Sequence, residues 1–242
     1  MKKILLSLTA LAIPSIQAAV VIDDFTGGIT DVTQNGDGAS LDTDGGIAVS
    51  STVGGIRVVR AHNIVPSTNN NTVSNQNVAG RLDWSVDTDT TGHFHLYYGF
   101  NTYLGGGAAT LWNEQDPGDY NALGLDASSE NAITIDIAQA DVSDAIRVGI
   151  VTSFGEGDEV VATLEVPNAG GPETLTFNFA SFTAVEGVIG DLDLADIDLI
   201  IVEAANDLTS ADWSLNQISI VPEPSTALLG MVGLLGLARR RR

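Results

Sequence analysis

The stretch GHFHLYYGF, residues 92–100, decides the fold class. Its apolar residues alternate: Phe94, Leu96, Tyr98 and Phe100 fall on one face, and His93, His95 and Tyr97 fall on the other. A period of two places one face against a core and the other outward, which predicts a half-buried β-strand. The glycines at both ends mark turns.

The same period recurs along the chain. AITIDIA aligns Ile133, Ile135 and Ile137; TLTFNF aligns Leu175, Phe177 and Phe179; DIDLIIVEA aligns Ile197, Leu199 and Ile201. IRVGIV, VVATLEV and AVVIDDF read as further strands. DWSLNQISI changes its apolar parity between Leu215 and Ile218, which predicts a bulge or a change of sheet. Long amphipathic helical patterns are scarce, and 26 glycines punctuate the chain with Asn, Asp and Ser clusters. PSTNNNTVSNQN reads as a polar loop with room for one short strand. Strands without intervening helices predict an all-β, antiparallel, jelly-roll-like β-sandwich whose first and last strands can lie close together. A β-helix is the rival, but the sequence has no short fixed repeat to support it.

Of 242 residues, 44% are hydrophobic, enough for a core, and the formal charge is −21. The charge is unevenly placed. Lys2, Lys3 and Arg239, Arg240, Arg241 and Arg242 occupy the two ends, leaving Arg57, Arg60, Arg81 and Arg147 between them. Such an acidic body repels phosphate backbones, so nucleic acid is excluded as a partner. Arg57 and Arg60 point to opposite faces if they share a strand, and each needs a carboxylate partner if buried. The chain has no cysteine, so neither a disulfide nor a thiolate metal site stabilises it.

Residues 1–19 have a basic start, an apolar stretch from Ile4 to Ile13, the Pro14 break, and small Ala18 and Ala19. This is the layout of a secretory signal peptide handled by the export machinery and signal peptidase. At the other end, Ala227 to Ala238 form an apolar run closed by four arginines. As a helix the run covers about 18 Å, against ~30 Å of hydrocarbon. The arginines favour the cytoplasmic side. The short helix therefore reads as a transient stop in the inner membrane, with the extended Pro222 and Pro224 segment exposed above it.

The order Val221-Pro222-Glu223-Pro224-Ser225-Thr226, then the Gly/Leu-rich run, then Arg239 to Arg242, closely resembles the PEP-CTERM sorting signal of Gram-negative bacteria. The resemblance covers the C-terminal segment, residues 221–242. It implies recognition by an exosortase, removal of the tail, and delivery to the surface of a cell that makes exopolysaccharide. The motif residues are substrate, not catalyst. More loosely, VIDDF, GGIR at Gly54 to Arg57, LTFNFASFT at Leu175 to Thr183 and LADIDLIIVEA resemble the β-sandwich ectodomains attached to this signal. Those domains look like carbohydrate-binding jelly rolls, but the pattern carries no ligand residues. The expected organisation is thus a signal peptide (1–19), a sandwich ectodomain (20–220) and a sorting signal (221–242).

Within the body, three kinds of site come into question. DVTQNGDGASLD places Asp31, Asn35, Gly36 and Asp42 at calcium-loop positions, although Thr33 and the short Asp42 depart from the pattern. A turn-rich β region explains the stretch better than an EF-hand. Asp31, Asp37, Asp42 and Asp44 remain oxygen donors for calcium. His93 and His95 share a strand face and could supply two metal ligands, with a third to come from elsewhere, His62 being one source. The competing and commoner reading leaves two alternate histidines simply solvated, since no usual zinc spacing completes the set. Tyr97, Tyr103, Trp112 and Tyr120 could form sugar-stacking platforms, with Asn101, Asn113, Glu114 and Asp116 beside them. The competing reading makes Trp84, Trp112 and Trp213 core residues.

No nucleophile elbow, HExxH or phosphate loop is present, and carboxylate pairs are uninformative in so acidic a chain. The expectation is a non-catalytic, exported, surface-sorted β-sandwich of the envelope or the polysaccharide matrix. The alternatives are a carbohydrate-binding module, with calcium as a candidate stabilising ion, and a polysaccharide-active enzyme.

Overall fold

The computed structural model of the protein describes residues 19–27, 31–35, 38–45, 52–63, 70–74, 80–88, 90–99, 122–154, 159–206 and 211–222. Its strands are β1 (Val20–Asp23), β2 (Asp31–Asn35), β3 (Gly38–Gly45), β4 (Ile56–Asn63), β5 (Asn70–Ser74), β6 (Leu82–Val86) and β7 (Gly92–Tyr98). They continue with β8 (Ala132–Ala140), β9 (Ala145–Thr152), β10 (Val160–Pro167), β11 (Glu173–Asn178), β12 (Thr183–Glu186), β13 (Ile197–Asn206) and β14 (Asp212–Val221). Every pairing between them is antiparallel. Among the described residues no helix is long and apolar enough to cross a membrane.

Two sheets result. The first runs β11-β8-β14-β6-β5-β2, with β1 also on β14; the second runs β12-β10-β9-β13-β7-β4-β3. Period-two patterning makes this a sandwich, because each sheet turns one apolar face inward. Ile133, Ile135, Ile137, Trp84, Trp213 and Ile220 from the first sheet share one core with Phe94, Leu96, Val148, Ile150, Ile200 and Val202 from the second. Trp84 is the hinge of that contact. Its ring centroid lies 5.0 Å from Phe94 across the sandwich and 6.3 Å from Trp213 beside it. Trp84 and Trp213 are thus core residues.

The terminal strands meet: β1 pairs with β14 from Val20↔Ile220 to Asp23↔Ile218. The parity change in β14 is a bulge, with register shifts against β8 at Ser214/Leu215 and Leu215/Gln217. One extra residue returns Ile218 and Ile220 to the core face. The same edge of β14 pairs first with β6 and then with β1.

One expectation changes. DIDLIIVEA does not keep Ile197, Leu199 and Ile201 on one face. The register against β9 shifts between Ile197 and Leu199, so Ile197 packs in the inner core while Leu199 and Ile201 face outward. Asp198 is the inserted residue. Its carbonyl accepts from Leu123 N at 2.9 Å, and its carboxylate accepts from Phe154 N at 2.9 Å. A one-residue insertion reverses every later side chain, which propensity along the chain does not register. DVTQNGDGASLD, read as a turn-rich β region, supplies two strands in different sheets: β2 joins the first and β3 the second.

Arg57, Arg81 and Arg147 pair with carboxylates, as charge arithmetic requires. Arg57 and Arg60 are both fully buried, on opposite faces of β4. Arg57 meets Asp23 in the core, where Thr52 and Tyr98 also donate to that carboxylate, at 3.1 and 3.0 Å. The guanidinium lies 5.1 Å over the Phe25 ring. Arg81 pairs with Asp83 at 2.8 Å, and Arg147 pairs with Glu165 and Glu203.

Candidate functional site

The outer face of the second sheet carries the chemistry. Directly opposite residues in neighbouring strands share a face. The registers Arg60↔His95, His95↔Glu203, Glu203↔Arg147 and Arg147↔Glu165 therefore form one row across β4, β7, β13, β9 and β10. Along it, cations and carboxylates alternate around the His95 imidazole. Arg147 Nη1 donates to Glu203 Oε2 at 3.1 Å and Nη2 donates to Glu165 Oε2 at 2.9 Å.

His93, one pleat along β7, turns to the same carboxylate. His93 Nδ1 lies 3.5 Å and His95 Nε2 3.6 Å from Glu203 Oε1. His95 Nδ1 shares a 3.0 Å hydrogen bond with the Tyr97 hydroxyl. His95 Nε2 is buried with no hydrogen-bond partner among the described residues. Burial pushes the His95 imidazole below its ordinary value; Arg60 and His93 add to this, and Glu203 opposes it. Burial alone would raise the Glu203 carboxyl. His93, His95 and Arg147 outweigh it and hold the group well below the usual carboxylate range. The pair therefore rests as a neutral imidazole beside an ionised carboxylate at neutral pH.

Beside the charged row the face becomes apolar. Val58, Tyr97, Val151, Val161, Leu199 and Ile201 form a second buried cluster, with Ile56 and Phe154 packed against it. Tyr97 belongs to that cluster and lies in strand β7, buried, rather than in a loop.

The other expected site residues fall elsewhere. Tyr103, Trp112 and Tyr120 lie outside the described residues, as does Asp37. Asp31 stands on β2, and Asp42 and Asp44 stand on β3, so they occupy different sheets. His62 is in register with His93 on the adjacent strand. Glu203 was not foreseen as a partner of the histidines. Its signal was one carboxylate inside the apolar run LIIVEAA, where an unpaired charge is costly.

The sorting signal begins on the last residue of β14. Val221 closes β14, in register with Ala132, and its carbonyl accepts from Asn131 N at 2.9 Å. Pro222 follows at once, and residues 223–242 lie outside the described residues, with Arg239 to Arg242 among them.

No curated protein matches the sequence. Among solved structures, the chain is similar to the family 11 carbohydrate-binding module of a cellulosomal cellulase of Clostridium thermocellum. The identity is 19%, with 86% of this chain and 96% of that chain covered and a TM-score of 0.44. A second Clostridium thermocellum structure, that module in complex with a beta-1,3-1,4-mixed-linked tetrasaccharide, matches at 19% identity over 84% and 95% of the two chains, with a TM-score of 0.43. An exo-beta-agarase matches at 12% identity over 86% of this chain and 25% of that one, with a TM-score of 0.36. At the C-terminus the comparison is with a sequence family, and it agrees with the order of residues from Val221 onward: the chain carries, at residues 221–242, a PEP-CTERM protein-sorting motif, which implies processing by an exosortase.

Proposed function

We propose that the protein is an exported, surface-sorted, non-catalytic β-sandwich of a Gram-negative cell envelope or extracellular polysaccharide matrix. In this reading residues 1–19 are a cleaved signal peptide and residues 20–220 a jelly-roll-like ectodomain. The C-terminal apolar run is a short helix that stops transiently in the inner membrane. The carrying observation is positional: the sorting motif begins on the last residue of the central strand β14, with no linker between. Cleavage near Pro224 then leaves the sandwich whole, because β14, the last strand of the described residues, closes at Val221. The lack of a nucleophile elbow or metalloprotease motif in the sequence supports a binding or structural role rather than a catalytic one. The acidic surface keeps such a protein soluble and away from anionic lipid.

Intact mass from the native host, taken separately from membrane, surface and medium, tests the reading. Loss of the first ~18 residues together with the tail is the expected result. A full-length mass in the membrane fraction overturns it. The processed protein on a glycan array then tests contact with exopolysaccharide.

A further inference from the structure

We propose that His93, His95 and Glu203 form a binding site for one divalent transition-metal ion of the zinc type, with His93 Nδ1, His95 Nε2 and Glu203 Oε1 as ligands. The site goes beyond the sorting role and does not depend on it.

Distance is the first argument. The two nitrogens stand 3.5 and 3.6 Å from Oε1, beyond the 2.7–3.2 Å of a good hydrogen bond. Two ligands on a tetrahedral ion with bonds of ~2.0–2.1 Å lie roughly 3.3–3.4 Å apart, close to the observed spacing. One ligand atom from each of His93, His95 and Glu203 lies within 4.8 Å of the other two, so the three donors converge on one point.

The second argument is the state of His95 Nε2. It is buried, has no hydrogen-bond partner among the described residues, and faces the carboxylate. The Tyr97 hydroxyl can donate to or accept from Nδ1; when a metal displaces the Nε2 proton, Nδ1 donates to the Tyr97 oxygen and Nε2 presents its lone pair to the ion.

Third, the surroundings orient the donors. Arg147 holds Oε2 of Glu203 and leaves Oε1 to the histidines. The three ligands come from two adjacent rigid strands, so little ordering is needed on binding. Arg60 and Arg147 oppose a dication; Glu165 and the net charge of −21 favour one. Imidazole and carboxylate donors suit zinc, copper, nickel or cobalt better than calcium, which takes oxygen. His93 is the most exposed of the three, at 20% of its side chain, and gives the ion an entrance.

The full chain is purified in mild detergent without a polyhistidine tag, stripped with a chelator and titrated calorimetrically with Zn2+, then with Ca2+. One Zn2+ per chain is expected, with little response to Ca2+. His93→Ala and Glu203→Gln should each weaken binding by about tenfold or more, while Glu186→Gln, an exposed acid on β12, should leave it unchanged. Far-UV circular dichroism of the stripped variants checks the fold. Co2+ on the unaltered chain supplies a readout that needs no variant: intense tetrahedral visible bands support the site. Faint bands of an octahedral, oxygen-bound ion overturn it. So does a Zn2+ titration that His93→Ala and Glu203→Gln, both folded, leave unchanged, because surface carboxylates are then the binders.

Discussion

Asp23 and Arg57 form a bidentate ion pair inside the sandwich, Nε to Oδ2 at 2.6 Å and Nη2 to Oδ1 at 2.7 Å, with both side chains fully buried. The pair ties β1, and through it β14 of the first sheet, to β4 of the second. The remaining carboxylate sites are taken by Phe25 N, Thr52 Oγ1 and Tyr98 OH. Saturation of this kind is what makes a buried charge tolerable.

Asp23→Asn removes the charge and leaves the guanidinium buried against a neutral amide. A loss of about 3–5 kcal/mol of unfolding free energy is expected, read as a lower midpoint in urea. The double variant Asp23→Leu with Arg57→Met should recover part of that loss, because it leaves no uncompensated ion. Equal instability of the two variants would show that the hydrogen bonds, not the charge balance, hold the corner together.

Tyr98 gives the fold an alkaline limit. Burial raises its phenol well above the ordinary value, and the Asp23 carboxylate adds to the shift while Arg57 opposes it. The folded state thus prefers neutral Tyr98, while the unfolded chain ionises near pH 10.0. Stability from this group is complete below that pH and falls as the pH rises toward the folded value. Tyr98→Phe should cost about 1 kcal/mol at neutral pH through the lost hydrogen bond. It should also flatten the decline in urea midpoint above about pH 10. An unchanged alkaline decline in Tyr98→Phe would assign it to other groups.

Gly99 turns the chain at the end of β7 with φ +97°. A Cβ there would run into the Asp198 carbonyl oxygen and come within 2.7 Å of Leu199 Cδ2, beside the β13 bulge. Gly99→Ala combines backbone strain with a backbone clash and should cost more than ~1 kcal/mol, measured by thermal unfolding. Gly171→Ala makes the informative contrast: its φ is +104°, but nothing lies within 4 Å of the added atom. It should cost less, the difference reporting the clash alone.

Replacing Pro222, Glu223 and Pro224 together by alanine should leave the tail on the protein. Intact mass of the membrane fraction would then retain Arg239 to Arg242, while the urea midpoint of the sandwich stays close to that of the unaltered chain. The reason is that β14 ends at Val221. Normal tail removal in this variant would place recognition outside these three residues.

Much of this protein was legible along the chain. Alternation in GHFHLYYGF, AITIDIA and TLTFNF specified strands, because a pleated strand needs no distant residue to alternate its faces. AITIDIA and TLTFNF are half-buried as alternation predicts, whereas β7 is buried on both faces. The parity break in β14 announced its bulge for the same reason. The residues from Val221 to Arg242 carried the sorting signal, since a protease and a membrane read a short linear segment. Tertiary structure decided the rest. Whether β2 and β3 share a sheet is a matter of pairing, which local pattern does not encode. The Asp198 bulge turned Leu199, Ile201 and Glu203 to the outer face, and strand order then set Glu203 against His95, 108 positions away in the numbering, without any mark in either neighbourhood. A cross-strand site is assembled by register, and register is settled by burying one face of every strand in the sheet at once.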